Sequence, residues 1–351
     1  MNYLVKRPLL VYNPMAGGGG NDRVFYRFRE KLASVTEKVT TLQVDPSEKN
    51  PESRLKECLE EGVDGIVVMG GDGTLHQVVN LLLQGFPEKG SNLPLSVFPT
   101  GSGNDWAGAW GWESQIDDWI EAFERAEFDR ADLIEIRGLH SEKYIYALNS
   151  MGIGLTGQIV ERIEKKRSKK KSAKATYFVS ALRELFRYAY LPFKIHVDGK
   201  PLPGDRILTM NLGLFETTGG GMRLFPGHRD EGRMKCTIVN KLSFFSVPKV
   251  VFALYFGDIS RASSRVNCQQ VEGVVIESMD NPQPLEVDGE YYRFQQIEAR
   301  LKKDKLKVLK PGRIAEQEES LIPLVHERLE GRQLNLGPAF SRPGSHCKFK
   351  K

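Results

Sequence analysis

The stretch "DGIVVMGGDGTLHQVVNLLLQG", residues 64–85, decides the fold. Its first part, "DGIVVMG" (64–70), is an apolar run closed by glycine and reads as a buried strand. Its last part, "TLHQVVNLLLQG" (74–85), reads as a helix. Between them Gly70 and Gly71 lack side chains, so backbone N–H groups can approach a ligand closely. The helix N-terminus then adds its own unpaired N–H groups, and the whole is suited to an anion. A carboxylate, Asp72, sits in the middle of this anion site. Either it is only a capping residue, or a Mg²⁺ ion lies between it and phosphate, since magnesium is commonly held by one or two carboxylates together with phosphate oxygens.

Working outward, the same unit repeats. "PLLVYNP" (8–14) is a strand and "DRVFYRFREKLAS" (22–34) a helix with Val24, Phe28 and Leu32 on one face. "KVTTLQV" (38–44) is a strand. "NPESRLKECLEEG" (50–62) is a helix with Leu55 and Leu59 facing inward, and "LPLSVFP" (93–99) is a fourth strand. Strand and helix in alternation with short connections predict a doubly wound α/β domain on a parallel sheet, whose ligands bind at the carboxyl ends of the strands. After about residue 132 the pattern becomes strand-rich: "ADLIEIRG", "KYIYALNSMGIG", "PFKIHVDGK", "RILTMNLGLF", "RMKCTIVN", "GVVIES" and "LEVDGEYYRF", with helices at 155–165, 175–190 and 246–256. The expected organisation is a nucleotide-type α/β domain over 1–132, completed by the chain at about 305–325. A β-rich, β-sandwich-like domain follows over 133–304, and a polar tail over 326–351 is expected to be partly disordered.

Bulk properties narrow the class. Four widely spaced cysteines form no CxxC pair, and six histidines form no HxxxH pattern. That argues against a zinc site and a disulfide framework and fits a reducing, cytoplasmic compartment. The apolar run "VVFALYF" (250–256) is far shorter than the ~20 residues of a spanning helix. No transmembrane segment or signal peptide is expected, so any membrane contact is peripheral. The net charge is only +5, but Lys165, Lys166, Arg167, Lys169, Lys170, Lys171 and Lys174 cluster in "EKKRSKKKSAK" (164–174), ahead of the aromatic-rich "ATYFVSALRELFRYAYLPF". This is either a solvated loop or a contact with anionic headgroups. No nucleic-acid-binding module is recognisable, and no nucleic-acid partner is expected.

Two more glycine loops follow predicted strands. "YNPMAGGGG" (12–20) carries Asn13 but no Lys-Ser or Lys-Thr, so it is not a P-loop. "PTGSGNDWAG" (99–108) offers the hydroxyls of Thr100 and Ser102, and places Asn104 and Asp105 at a helix start. This ordered set, with "GGGMRLFPGHRDEGRMKCTIV" and "LEVDGE" further on, resembles the diacylglycerol kinase catalytic-domain family over about residues 8–312. The layout is that of the bacterial soluble lipid kinases, related to sphingosine and ceramide kinases.

The resemblance implies an ATP-binding set of Asn13, Pro14, Met15, Ala16, Gly17, Gly70, Gly71, Asp72, Gly73, Thr74, Leu75, His76 and Ser102, with Asn104 and Asp105 beside it. It implies that Asp72 organises Mg-ATP and that Asp288 is the general base, exposed by the Gly289 turn, with Glu290 between base and metal. Read without the family, "VDGEYY" is an ordinary Asp-Gly hairpin turn. The family's structural metal loop falls on "PGHRDEG", where carbonyls of His228 and Arg233 and the side chain of Glu231 would be ligands. Glu231 stands where the family has Asp, which puts that metal in doubt or moves it to Asp230. The implied activity is γ-phosphoryl transfer from Mg-ATP to a lipid hydroxyl at a membrane surface, with a homodimer left open. An NAD kinase-like enzyme and a catalytically silent nucleotide-binding regulator are the alternatives.

Overall fold

A computed structural model describes residues 4–44, 51–139, 144–167, 193–202, 207–227, 232–279 and 281–311. The first half contains strands β1 (Pro8–Tyr12), β2 (Thr40–Gln43), β3 (Gly65–Gly70) and β4 (Leu95–Pro99). Its helices are α1 (Asp22–Ser34), α2 (Pro51–Glu60), α3 (Asp72–Gly85), α4 (Pro87–Asn92), α5 (Asp105–Ala109) and α6 (Ile116–Arg125). The four strands pair in parallel in the order β2-β1-β3-β4. Because β1 to β2 steps one way across the sheet and β2 to β3 to β4 the other, right-handed crossovers put α1 on one face and α2 and α3 on the opposite face. The burial of β1, β3 and β4 along their whole length agrees with helices on both sides.

In α1 the inward stripe is Phe25, Phe28 and Leu32; Val24, expected inside, is 38% exposed. The i, i+3, i+7 stripe starts one residue later because Phe25 stacks on Tyr12 at 4.1 Å and Phe28 meets Phe98 and the α6 ring of Trp119.

The second half is built on β5 (Phe128–Gly138), β6 (Tyr144–Ala147), β7 (Ser150–Gly154), α7 (Leu155–Arg167), β8 (Phe193–Val197), β9 (Lys200–Pro201), β10 (Ile207–Gly213), β11 (Met234–Asn240), α8 (Val247–Phe256), β12 (Val266–Val271), β13 (Gly273–Ser278), β14 (Gln283–Val287), β15 (Glu290–Phe294) and β16 (Gln296–Leu309). An antiparallel sheet runs β12-β11-β10-β7-β14-β15. The other strands continue the first sheet: β16 is antiparallel to β5 and β13, and reaches β4 in parallel through Val308 and Leu95. Residue 132 therefore lies inside a continuous strand, not in a linker, and the returning chain near 308 joins the α/β sheet. The expected helix at 175–190, the basic run beyond Arg167 and the tail over 326–351 lie outside the described residues.

Candidate active site

The carboxyl ends of β1, β3 and β4 are neighbours in the sheet, so the three glycine loops meet. Asn13, at the end of β1, donates from Nδ2 to Thr74 Oγ1 at 2.8 Å and accepts the Met15 N–H on Oδ1. The Thr100 N–H donates to the Gly70 carbonyl. A Cβ on Gly71 would lie 2.9 Å from the Gly101 Cα, so these two glycines are fixed by the contact of one loop with the next. Gly17 to Gly20 all hold positive φ, between 64° and 97°, and a Cβ on Gly18 or Gly20 would meet open space. That loop needs glycine for its backbone path, and its outer side is free. Asn104 sits at φ 59° and closes a ring with Gly101, accepting its N–H and donating to its carbonyl, both at 2.9 Å.

Asp72 opens α3 but caps a different helix. Its two oxygens accept the Asp105 and Trp106 N–H groups at the start of α5, each at 3.2 Å. Burial pushes this carboxyl above the usual carboxylate range, and the charges of Asp105 and Asp288 act in the same direction. Each oxygen retains acceptor capacity. Asp105 turns away from its own helix and accepts the Gly220 and Gly221 N–H groups at 2.8 and 3.1 Å, tying this rim to a loop after β10.

The Gly289 turn does not expose Asp288. Asp288 (φ 51°) and Gly289 (φ 86°) form the tight turn between β14 and β15 that "VDGE" suggests. The Asp288 side chain is nonetheless only 3% exposed, as is that of His76. Asp288 accepts the N–H groups of Leu148 (2.8 Å), Asn149 (2.8 Å) and Ser150 (3.0 Å), and His76 Nδ1 lies 2.9 Å away. A carboxylate is an acceptor only, so His76 Nδ1 carries the proton on this side; four donors fill the four acceptor positions of Asp288. His76 Nε2 lies 2.8 Å from the Tyr292 hydroxyl, extending the chain to Asp288–His76–Tyr292. Burial pushes the Tyr292 hydroxyl up to about 12.

Asn80, one turn beyond His76, holds the helix side of this unit. It accepts the Tyr146 N–H and donates to the carbonyls of Tyr146 and His76. Glu286 accepts the Gly289 N–H at 2.6 Å, and burial pushes its carboxyl up to about 8. A Cβ on Gly73 would lie 2.8 Å from Glu290 Oε1, so the Glu290 carboxylate covers the first turn of α3, where the helix dipole favours negative charge.

Several expected site residues are thus brought together: Asn13, Gly17, Gly71, Asp72, Gly73, Asn104 and Asp105 line or support one rim. Others face elsewhere. Leu75 is core and the His76 ring meets Asp288 and not the glycine rim, whereas Thr74 Oγ1 accepts from Asn13 beside Gly70 and so supports the rim. Ser102 and Met15 are exposed. In the expected metal loop His228, Asp230 and Glu231 lie outside the described residues, and the Arg233 guanidinium pairs with Glu272 at 2.8 Å. Among the described residues no cluster of three His, Cys, Asp or Glu side chains could hold a metal by itself. Tyr292, Asn80, Glu286 and the Leu148–Ser150 amides were not anticipated. The usable signal was a histidine and an asparagine four apart, on a helix otherwise rich in apolar residues.

The residues present fit a nucleotide phosphate and a divalent ion. Thr100 Oγ1 and Asn149 Oδ1 are buried without a hydrogen-bond partner, and the Thr100 carbonyl lies against Gly17. Asp72 offers free lone pairs whose negative charge a cation would stabilise.

Residues 7–136 match the diacylglycerol kinase catalytic domain, and residues 149–310 match the YegS C-terminal NAD kinase beta sandwich-like domain. Diacylglycerol kinase of Staphylococcus carnosus is 26% identical over 292 residues, 82% of this chain and 89% of that protein. Diacylglycerol kinase of Staphylococcus saprophyticus is 24% identical with the same coverage. The crystal structure of a diacylglycerol kinase from Bacillus anthracis superposes with a TM-score of 0.64 over 90% of this chain and 100% of that one, at 19% identity, which supports the fold. The chain belongs to the diacylglycerol kinase catalytic-domain family and is a lipid kinase.

Proposed function

We propose that the enzyme transfers the γ-phosphoryl group of Mg-ATP to the hydroxyl of a diacylglycerol-like or sphingoid lipid presented at a membrane surface. The observation that carries this reading is the meeting of three strand-end glycine loops around Asp72, one helix turn from the buried Asp288–His76 pair. Backbone N–H groups of Gly17 and Gly20 and of the first turn of α3 would bind phosphate oxygens. Asp72 would hold the metal, directly or through water, with Glu290 and Asp105 shaping its surroundings. Bound Mg²⁺ would neutralise phosphate charge and polarise the γ-phosphoryl group.

The acceptor hydroxyl must lose a proton as it attacks. Asp288 is the base in this reading, but three of its four donors are fixed backbone N–H groups. Only the His76 side can yield, so Asp288 and His76 act as a coupled pair: the Nδ1–H bond to Oδ2 must open as the acceptor hydroxyl approaches, and Oδ2 then takes the hydroxyl proton while the hydroxyl oxygen bonds to phosphorus. Within the pair the backbone amides of Leu148 to Ser150 hold the carboxylate in place. The reading is tested by incubating the protein with Mg-ATP and a total lipid extract and identifying the product by mass. A lipid gaining one phosphate supports it. ATP binding with no phosphorylated lipid would favour the silent regulator.

A further inference from the structure

Helix α8 breaks the ordinary rule for a short surface helix. It is apolar nearly all round, yet only one side is covered. Val250 and Ala253 are buried against Leu208, Val239, Ile259, Ala262 and Val266, and Val247 is buried as well. The other side and the turn before it present Phe244, Phe245 (90% exposed), Phe252, Tyr255 and Phe256 (76% exposed) to solvent. Among the described residues eleven large apolar side chains are exposed, and these five fall within thirteen consecutive positions. Single exposed apolar residues need no explanation, but a contiguous aromatic face marks a surface that meets something apolar.

Charge around this face says what it meets. From Lys241 to Arg265 the chain carries Lys241, Lys249, Arg261 and Arg265 against a single acid, Asp258, whose Oδ2 lies 3.4 Å from Arg261. An aromatic centre with a basic surround is the pattern of an interfacial helix on an anionic lipid surface. A second copy of the chain fits poorly, because a two-fold contact through this face would set the basic residues against themselves.

The position is also informative. The Arg223 N–H donates to the Leu254 carbonyl in α8 at 2.7 Å. Arg223 follows the Thr218–Met222 hairpin, whose Gly220 and Gly221 N–H groups go to Asp105. The Thr218 hydroxyl lies 2.8 Å from that of Ser150, a residue whose N–H holds Asp288. One short hairpin joins the aromatic face to both halves of the candidate site.

We propose that α8 and the turn before it form a membrane-docking face that inserts Phe245, Phe252 and Phe256 into an anionic bilayer and seats the active site against it. This rests on the lipid-kinase reading for its purpose, though not for its test. The full chain is sedimented with vesicles of phosphatidylcholine alone and with vesicles containing about 30% phosphatidylglycerol, in low and high salt. Wild type is expected to pellet with the anionic vesicles. Phe245→Ser/Phe256→Ser is expected to lower the partition coefficient at least ~30-fold, as two partly inserted aromatic side chains imply. Lys249→Gln/Arg265→Gln should lower it up to ~30-fold on anionic vesicles only. Unchanged melting, and unchanged turnover of a short-chain, water-soluble diacylglycerol, would show that the phenylalanine variant is folded and chemically intact.

Vesicle binding that survives the phenylalanine substitutions would overturn the proposal. So would a wild-type dimer that the variant abolishes while vesicle binding persists, which would make the face a self-association surface. If no lipid is phosphorylated by wild type but binding still falls in the variant, the docking face stands and the lipid-kinase reading falls.

Discussion

Replacing Asp288 with asparagine is the natural test of a catalytic base, and the structure says that it will do two things at once. In the wild type Oδ1 accepts from Asn149 and Ser150, and Oδ2 accepts from Leu148 and His76. An asparagine oxygen can keep one pair of donors, but its NH₂ group then faces the other pair. His76 can change tautomer and accept; the Leu148 N–H cannot. One buried N–H left unpaired costs about 1–3 kcal/mol, and turning two charge-assisted bonds into neutral ones costs about 1 kcal/mol each. The expected loss for Asp288→Asn is therefore about 3–5 kcal/mol, or a fall in Tm of roughly 5–8 °C in a folded unit of this size.

Urea and thermal unfolding measure this directly, and turnover must be compared at a temperature where both proteins are folded. His76→Gln should lower kcat as well. The double variant should lose little more than the worse single one, because residues that act as a unit are not additive. An Asp288→Asn protein that melts within about 2 °C of wild type would refute the four-donor account of this carboxylate. Full additivity in the double variant would refute the coupled pair.

Two further perturbations test separate parts of the site. Gly71→Ala places a methyl group 2.9 Å from the Gly101 Cα, so the loops after β3 and β4 must part. A loss of about 1–3 kcal/mol in stability and of at least ~10-fold in ATP affinity is expected by calorimetry. Unchanged ATP binding would remove Gly71 from the phosphate site. Glu286 has its folded carboxyl raised from 4.5 to about 8 by burial, with the Asp288 and Glu290 charges adding to the rise. Between those two values the unfolded chain releases this proton and the folded chain keeps it, so stability from this group is full below about pH 4.5 and falls as pH rises towards 8. Glu286→Gln, whose amide oxygen can still accept the Gly289 N–H, should flatten that decline and leave the variant more stable than wild type at pH 8. A variant with the same pH slope as wild type would contradict this.

The α/β half of the fold was legible because local signals agree there: apolar runs ending in glycine or Asn-Pro, helical spacing, and short connections. The convergence of the three loops followed from strand order alone. What sequence could not supply was the pairing of distant groups. Asp72 begins α3, and any local reading makes it a cap for that helix; its partners come from α5, more than thirty residues later. The "VDGE" stretch was readable both as a hairpin turn and as a catalytic motif, and the two readings are compatible, since the turn geometry is what delivers Asp288 to His76, 212 positions away. Residue 132 looked like a boundary because strand-rich sequence begins there, but at the start of β5 only Asp129 and Arg130 are exposed, and the same strand runs on through buried Leu133 to Ile136. The strand Val266–Val271, "VNCQQV", escaped notice because polar residues occupy its centre.

The most direct test of the account supplies the protein with ATP labelled on the γ-phosphate, Mg²⁺ and two acceptors together: diacylglycerol in mixed micelles and NAD in solution. The account expects the label in an organic-extractable phospholipid, lost when Mg²⁺ is chelated and lost in Asp72→Asn. Label appearing in NADP and not in lipid would contradict it.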